Sequence, residues 1–395
     1  MTLTNTKRVL FLTTHNPLDL SYGGGQRTHF IWKALQEVPG ITVETVVPVP
    51  DMKMESYDED GHIRRLCLER RYSIRWFLLR LSQRLFKRFM CPGLIALNRL
   101  YKYYPEGFDL VVVRYPGTAS LYSAWKIAPM IIDVDDVPTQ SFETNWNRGR
   151  GFYLKLCLEN LRRWQNFIFS KAILLWVSNP ENKDQMPQNI PVLTLSNIPR
   201  IDHPQYANLV SKEKYVFYLG CLAGQEKGVG IDYFLSCYWM SLHKRFPDLV
   251  FKIAGPLLDD EFKKRWGAYP NVEILGFVDD LDGLYRNARA MLAPIYAGAG
   301  TAIKVLECLS YGRVCIGSPF AWRGYDLNVE AAIEYNDYYQ LEAALSKILD
   351  DQWLAVTQET AIKAVNKRFS QKTVNYVVTE SLQNVFHYHL NDMVL

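Results

Sequence analysis

The sequence lacks the features that mark several common protein classes. Its seven cysteines include no Cys-x-x-Cys pair, which argues against a zinc or disulfide framework and favours a reducing compartment. No uncharged apolar run reaches the roughly 18 residues that a transmembrane helix needs, and the first seven residues do not resemble a signal peptide. The net charge of +4 is too small to indicate nucleic-acid binding. We therefore expect a cytoplasmic protein, either soluble or peripheral on a membrane, with no nucleic-acid partner.

The length of 395 residues, with 48% hydrophobic and 22% charged residues, is typical of two globular domains. Short apolar runs alternate with helical patterns, which predicts α/β domains with parallel sheets covered by helices. We expect strands at 9–13, 41–47, 109–114, 130–134, 173–178 and 192–195, and again at 215–220, 249–255, 272–276, 290–294 and 313–317. This pattern predicts two Rossmann-like domains, 1–196 and 215–370, a linker at 197–214, and a helix at 371–395 that packs back on the first domain.

The segment from residue 294 to residue 312 carries the strongest functional signal. Gly298 and Gly300 lie in a loop after a predicted strand, and Thr301 is placed to cap a helix that runs to about residue 311. Backbone N–H groups and the positive end of a helix dipole favour an anion at such a loop. Lys304 and Glu307 share one helix face, the lysine nearer the anion and the glutamate one turn further, where it can bind a ribose diol. A cation for the phosphate followed by a carboxylate for the sugar, in this order along the helix, predicts a nucleotide-sugar site rather than a simple surface ion pair.

Two further glycine segments are present, one after the first strand of each predicted domain. Lys227, in the loop 220–228, is placed to neutralise a departing diphosphate, unless it is only a solvated loop lysine. The spacing fits neither a Walker A motif nor Gly-x-Gly-x-x-Gly, so ATPase and dinucleotide-binding functions are set aside. Gly24 and Gly25, in a predicted turn before a helix starting near residue 28, favour a nest of N–H donors facing an anion.

Polar residues also end the predicted strands of the first domain. Asp133 and Asp135 are two apart and so point to the same face at a strand end. An Asp-x-Asp pattern can hold Mg²⁺ beside phosphates, but it is short, and we expect no metal and no cofactor. Arg114 and Tyr115 end another strand and are candidate acceptor-binding residues. Arg27 is a third candidate for that role, with a plain surface position as the alternative.

A basic and aromatic segment lies between Arg64 and Arg88, where nine cations face a single acid. Placed on a helix, its apolar residues recur at three-to-four spacing with cations beside them. Such a face attracts anionic lipid headgroups or phosphorylated substrates. The alternative is a helix whose apolar face belongs to the domain core.

Taken together, these residues resemble the group 1 (family 4) glycosyltransferases, which are retaining enzymes of the GT-B fold, two Rossmann-like domains facing each other across a cleft. The resemblance covers nearly the whole chain and is most specific at the Gly-x-Gly-Thr-x-x-Lys-x-Leu-Glu pattern of residues 298–307. It implies that Glu307 binds the ribose, that Lys227 contacts the diphosphate, and that the loop containing Gly24 and Gly25 faces the phosphates. Asp135 matches a position where many members have a histidine or aspartate in the catalytic cleft.

Two positions depart from the family pattern. Ala299 stands where members often carry a second glutamate that contacts the donor sugar, and Cys221 stands where many have an arginine. We expect Lys304 to replace that lost diphosphate cation because it lies on the same helix face as Glu307 and nearer the phosphates.

These inferences predict a retaining glycosyltransferase that moves a hexose-type sugar from a UDP- or GDP-linked donor to a hydroxyl of a lipid-linked or polysaccharide acceptor. Lys227, Lys304 and the helix N-terminus would stabilise the departing diphosphate. Asp135 would line the catalytic site, and the basic segment would contact an anionic membrane surface. The alternatives are a nucleotide-sugar epimerase or phosphorylase of the same fold, or a non-catalytic relative that binds glycan or lipid.

Overall fold

The computed structural model describes residues 6–49, 51–58, 61–67, 77–78, 81, 95–146, 152–200, 213–220, 222, 228–256, 260–298 and 300–388. The chain divides into two compact units. Unit 1 comprises Met1–Ser196 together with Gln371–Leu395, and unit 2 comprises Asn197–Ser370. No helix within the described ranges combines the length and the hydropathy needed to cross a membrane.

Unit 1 is built on an eight-stranded sheet in the order β3-β4-β2-β1-β5-β6-β7-β8. All neighbours pair in parallel except β3 and β4, which are antiparallel. The strands are β1 (Lys7–Leu12), β2 (Ile41–Pro48), β3 (Ser56–Tyr57), β4 (Ile63–Leu66), β5 (Leu110–Arg114), β6 (Met130–Val134), β7 (Leu174–Val177) and β8 (Val192–Thr194). The apolar runs of β5, β6 and β7 are buried along their whole length, as expected for central parallel strands covered on both faces.

Helices cover both faces of this sheet. They are α1 (Gly23–Gln36), α2 (Ile95–Tyr103), α3 (Pro116–Leu121), α4 (Pro138–Trp146), α5 (Phe152–Phe169) and, from the end of the chain, α13 (Gln371–Tyr388). Helix α13 packs on α1, and its Ser381 accepts a hydrogen bond from the indole of Trp176 in β7, at 3.2 Å. The chain therefore returns to unit 1 through its last helix.

Unit 2 contains a six-stranded sheet, order β11-β10-β9-β12-β13-β14, in which every pair is parallel. Its strands are β9 (Tyr215–Leu219), β10 (Val250–Ala254), β11 (Val272–Gly276), β12 (Ala290–Ala293), β13 (Val314–Gly317) and β14 (Ala332–Glu334). Its helices are α6 (Val229–Phe234), α7 (Met240–Arg245), α8 (Asp260–Gly267), α9 (Leu281–Asn287), α10 (Ile303–Ser310), α11 (Tyr338–Lys347) and α12 (Asp351–Arg368). A π-helical segment, Leu235–Trp239, joins α6 to α7.

The prediction of two α/β folds with parallel sheets is confirmed, and three short strands were missed. The first residues of the basic segment, Arg64 and Arg65, lie in β4 and not on a helix. The Arg64 guanidinium packs over the rings of Tyr57, Tyr103 and Tyr104, at 4.0 to 5.0 Å from their centroids. Of the remainder of that basic segment, the structure describes only residues 65–67, 77–78 and 81.

Candidate functional site

The glycine loop of unit 2 connects β12 to α10. Gly298 has φ of 151° and Gly300 has φ of 67°, values that side chains disfavour and that explain glycine at both positions. The predicted cap by Thr301 is wrong, because α10 begins at Ile303 with Ala302 as its N-cap and without a side-chain cap. The hydroxyl of Thr301 instead accepts a hydrogen bond from Asn197 Nδ2, at 2.8 Å. No side chain caps α10; the Val305 N–H donates to the Ala302 carbonyl oxygen at 3.0 Å, so the N–H groups of Ile303 and Lys304 are the helix donors nearest the loop.

Arg323 fixes the orientation of this loop and was missed by the sequence analysis. Its Nη1 donates to the carbonyl oxygen of Gly298 at 3.1 Å, and its Nε donates to that of Gly300 at 3.0 Å. In a trans peptide the C=O and the following N–H point in opposite directions. The guanidinium therefore turns the Gly300 carbonyl towards itself and the Thr301 N–H away. An arginine thirteen residues beyond Ser310, in an irregular loop, gives no sequence signal for this contact.

Lys304 belongs to α10, and its side-chain amine reaches the carboxyl end of β9. Its Nζ donates to the hydroxyl of Tyr218 at 3.2 Å and lies 4.4 Å from the centroid of that ring. A Cβ added at Gly220 would lie 2.6 Å from the same Nζ, and a Cβ at Gly255 would lie 1.8 Å from the Gly220 carbonyl oxygen. The two glycines thus allow the ends of β9 and β10 to approach each other and the lysine closely. The amine of Lys304 is placed beside the strand ends where ligands of open α/β sheets bind.

Glu307 lies one turn further along α10 and is half-buried. The Tyr285 hydroxyl is 3.5 Å from its Oε2, and the Tyr285 ring stacks on Tyr311 with centroids 4.4 Å apart. Burial first, and the Glu307 charge second, raise the pKa of Tyr285 well above its usual value. The phenol therefore stays protonated beside the carboxylate, and the stacked pair supports the position of Glu307.

Three residues of the expected donor site lie outside the described residues. These are Lys227, Cys221 and Ala299. Their expected roles stay predictions.

In unit 1, the three consecutive glycines form the first turn of α1 rather than a separate turn. The helix begins at Gly23, five residues earlier than predicted. A Cβ at Gly25 would lie 2.0 Å from the carbonyl oxygen of Asp19, and a Cβ at Gly24 would lie 2.9 Å from the Tyr115 hydroxyl. The backbone contact therefore requires glycine at position 25 whether or not a ligand binds there, whereas a side chain at position 24 would need the Tyr115 hydroxyl to shift.

Arg27 and Arg114 are both buried against Asp133. Arg27 donates from Nη2 to Asp133 Oδ1 at 2.5 Å and from Nε to Oδ2 at 3.1 Å, while its Nη1 donates to the Leu195 carbonyl at 2.8 Å. Arg114 Nη1 also bonds to Asp133 Oδ2, and its Nε donates to Thr28 Oγ1 at 3.0 Å. Burial tends to lower the pKa of each guanidinium, but the carboxylates outweigh it and raise the pKa. This burial differs from the direct contact with the acceptor that the sequence pattern predicts for both arginines.

Asp135 is the exposed member of the same cluster, with 13% of its side chain accessible. Its Oδ2 lies 3.3 Å from Arg114 Nη2, and its Oδ1 lies 3.8 Å from Arg27 Nε. Ser178, after β7, donates to the backbone carbonyl of Asp135 at 2.7 Å. Asp133 and Asp135 thus face the same two arginines, in keeping with their period-2 spacing.

A group of three rings adjoins this carboxylate and includes two residues that the sequence analysis missed. His15 follows β1, and its Nδ1 lies 2.6 Å from the Tyr22 hydroxyl. The Tyr115 ring is 5.2 Å from that of His15, and its hydroxyl accepts a hydrogen bond from Arg114 at 2.9 Å. Burial first, and Arg114 second, lower the pKa of His15, so the imidazole is neutral at pH 7. Tyr115 has φ of 70°, a strained value for a side-chain-bearing residue.

These rings occupy the topological switch point of unit 1. Strand β1 pairs with β2 on one side and with β5 on the other. The connections from β1 and β5 therefore leave in opposite directions, which opens a crevice at their carboxyl ends where ligands bind in such sheets. His15 follows β1, Tyr115 follows β5, and Asp135 follows β6. The first unit thus has a polar, neutral ring cluster and the partly exposed carboxylate of Asp135 at its expected ligand-binding edge.

Part of the chain, which includes the glycine loop and α10, is similar to a known protein family. Residues 213–351 match the family model described as glycosyl transferases group 1. A comparison with curated protein sequences gave no match.

Solved structures resemble the whole chain at low sequence identity. A sucrose-phosphate synthase from Thermosynechococcus elongatus aligns with a TM-score of 0.68 and 13% identity, covering 96% of this chain and 99% of its own. TarM aligns with a TM-score of 0.65 and 12% identity, covering 97% and 99%. Anabaena HepE, solved in complex with UDP, aligns with a TM-score of 0.61 and 14% identity, covering 95% and 100%. The chain therefore has the GT-B fold, and its residues 213–351 are similar to the group 1 glycosyl transferases.

Proposed function

We propose that the protein is a retaining glycosyltransferase that moves a hexose-type sugar from a UDP- or GDP-linked donor to a hydroxyl of a lipid-linked or polysaccharide acceptor. One observation carries the proposal. Helix α10 has no side-chain cap, Arg323 holds the preceding glycine carbonyls, and Lys304 lies at the carboxyl end of β9. Together these groups form a site for a diphosphate within the family-matched domain.

In this proposal the donor lies along α10. The β-phosphate binds the first N–H groups of the helix and the Lys304 amine, with Lys227 as a second cation. Glu307 accepts hydrogen bonds from the ribose hydroxyls, one turn from Lys304. HepE, a structural neighbour, has been solved with UDP and with UDP-glucose, which supports a nucleotide sugar as the donor. No metal or cofactor enters the proposal.

The transfer breaks the bond between the sugar C1 and the β-phosphate oxygen and forms a bond from C1 to the acceptor oxygen. The acceptor proton passes to the departing diphosphate on the same face, so a protein base is not required. Lys304 and the helix N-terminus stabilise the negative charge that develops on the diphosphate. This electrostatic effect is the protein's main contribution to the rate.

Acceptor contacts are assigned to the switch point of unit 1. Asp135, Tyr115 and His15 offer one partly exposed carboxylate and two neutral polar rings for a sugar hydroxyl. Arg27 and Arg114 act as positioning residues, because both are buried against Asp133 and hold the cluster that carries Asp135. This assignment replaces the direct acceptor contact expected for the two arginines.

A membrane-bound acceptor is the second part of the proposal. Phe77 and Leu78, in the basic segment, are 60% and 56% exposed, which supports contact with a lipid surface. Sedimentation with anionic liposomes at low salt should carry the protein into the pellet, and neutral liposomes should not. If the protein ignores both, the acceptor is a soluble polysaccharide.

Two matched variants of the donor site test the assignment. Glu307→Ala should weaken binding of UDP or GDP, and Lys304→Ala should reduce kcat more than it weakens nucleotide binding. The exposed Glu330→Ala and Lys347→Ala serve as controls for the same chemical changes. Release of a free sugar isomer without any acceptor would indicate an epimerase instead, and no nucleotide binding would indicate a non-catalytic relative.

A further inference from the structure

Four tyrosines gather beside the glycine loop of unit 2, from three separate parts of the chain. The tyrosine cluster consists of Tyr233, Tyr238, Tyr296 and Tyr335. Their ring centroids are 5.0 Å apart for Tyr233 and Tyr296, 5.9 Å for Tyr233 and Tyr238, and 6.1 Å for Tyr238 and Tyr335. The hydroxyls of Tyr296 and Tyr335 are 3.0 Å apart. The four rings thus form one continuous group.

The local backbone is shaped to bring these rings together. In a regular α-helix, residues five apart point about 140° away from each other, so Tyr233 and Tyr238 would lie on different faces. The π-helical segment Leu235–Trp239 removes that separation, and such segments occur often at functional sites. Gly230 allows α6 to approach the loop after β12, because a Cβ there would lie 2.3 Å from the Pro294 carbonyl oxygen.

The cluster presents ring faces to solvent. Tyr233 is 45% exposed and Tyr296 is 39% exposed, whereas Tyr335 is buried and anchors the group. The ring pairs meet edge to face, at 77° to 90°, an arrangement that leaves a face of a ring uncovered. Tyr296 lies two residues before Gly298, at the start of the loop assigned to the donor.

The phenols of the cluster are polar and carry no formal charge, and the neighbouring Asp232 is paired with Arg265 at 2.6 Å. Burial is the largest cause that raises the pKa of Tyr238, Tyr296 and Tyr335, and the other groups that shift these pKa values are tyrosines and Cys237. Each phenol therefore stays protonated at neutral pH. Such a surface offers aromatic faces and hydroxyl groups, and the four phenols themselves supply no positive charge to a phosphate or an anionic lipid.

We propose that the tyrosine cluster binds an uncharged sugar unit of the glycan chain that serves as acceptor or product. The C–H face of a pyranose ring packs on an exposed aromatic face, and its hydroxyls exchange hydrogen bonds with the tyrosine hydroxyls. The proposal rests on the proposed function in one respect, the identity of the neighbouring loop as the donor site. It narrows the acceptor to a glycan with neutral sugars rather than a lipid carrier alone.

The test is saturation-transfer NMR on the full-length protein with three neutral probes, maltoheptaose, cellopentaose and chitopentaose. At least one probe should bind the wild type, and Tyr233→Ala and Tyr296→Ala should each weaken it about tenfold or more. Tyr296→Phe should retain most of the affinity, because it keeps the ring and loses only the hydroxyl. The control Tyr339→Ala removes a 78% exposed tyrosine outside the cluster and should leave the affinity unchanged.

Three results would overturn the proposal. They are no binding of any probe to the wild type, equal losses in Tyr339→Ala and Tyr296→Ala, or variants that abolish self-association measured by light scattering. The last result would make the cluster a contact between copies of the chain. UDP-induced thermal stabilisation, measured in parallel, separates the two claims. If a probe binds through the cluster and UDP has no effect, the proposed function fails while the saccharide site stands.

Discussion

The buried charge cluster of unit 1 gives the sharpest prediction about stability. Asp133 and Arg114 are fully buried, and only 2% of the Arg27 side chain is accessible. With Asp135 the cluster contains two cations and two anions and carries no net charge. Asp133→Asn removes one anion, and the new amide NH₂ group faces guanidinium donors instead of accepting from them. One buried positive charge is then left uncompensated.

Breaking a buried ion pair by removing one partner costs about 3–5 kcal/mol. A unit of this size loses about 2–4 °C in Tm for each kcal/mol, so Asp133→Asn should unfold about 6–20 °C lower than the wild type. The assay is urea and thermal denaturation of the full chain, followed by circular dichroism. The control is Asp184→Asn, which makes the same chemical change at an exposed position and should shift Tm by less than about 2 °C.

A second variant separates lost charge balance from lost packing. Replacing Asp133→Leu together with Arg27→Met and Arg114→Leu removes the three fully buried charges of the cluster, leaves only the partly exposed Asp135, and should recover most of the stability. A loss below about 1 kcal/mol in Asp133→Asn would contradict this reasoning, because the cluster would then be hydrated rather than dry. If the triple variant is as unstable as Asp133→Asn, the loss of stability comes from altered side-chain packing and not from an unbalanced charge.

Three further predictions concern the glycine segments and His15. Arg323→Ala should weaken UDP binding at least about tenfold in calorimetry, because the three charge-assisted hydrogen bonds that orient the loop are lost; an unchanged Kd would mean that the loop holds its shape alone. Gly25→Ala should lower the free energy of unfolding by more than 2 kcal/mol in urea titration, because its Cβ would overlap a backbone carbonyl at 2.0 Å. Gly117→Ala, with nothing within 4 Å of its Cβ, should be neutral or stabilising. Since burial lowers the pKa of His15 below 6.5, the unfolded chain binds this proton more readily, so stability should fall as pH drops below about 6.5. His15→Gln should reduce that fall between pH 7.5 and 5.5.

The sequence predicted the elements that have a clear hydrophobic pattern of their own. Strands β5, β6 and β12 are buried along their whole length and, apart from Arg114 and Asp133, apolar, and a buried strand needs little beyond such a run to be recognised. Strands β4 and β14 were missed because they are short and partly polar, and their place in the sheet depends on neighbours distant in sequence. Local rules also failed at Thr301, where a hydrogen bond from Asn197, 104 residues away, replaced the expected cap.

In the candidate site, too, residues with a local sequence pattern were predicted and residues with long-range contacts were missed. Lys304 and Glu307 were identified because their spacing lies within a single helix. Arg323 and His15 were not, because their contacts depend on how separate loops meet at a sheet edge. The burial of Arg114 likewise depends on strand pairing, since β6 brings Asp133 beside it. Helical spacing can be read from sequence, whereas such long-range partners require the fold.

The central claim is that α10, Lys304 and Glu307 hold a nucleotide diphosphate. The most direct measurement is a thermal-shift titration of the full chain with UDP, GDP and ADP, repeated on Glu307→Ala and on the control Glu330→Ala. A bound nucleotide stabilises the folded state by about 2.7 kcal/mol at 100 times its Kd. We predict that UDP or GDP raises Tm in the wild type and in Glu330→Ala, and that Glu307→Ala needs a higher concentration for the same rise. No shift with any nucleotide, or the same titration curve in Glu307→Ala, would contradict the account.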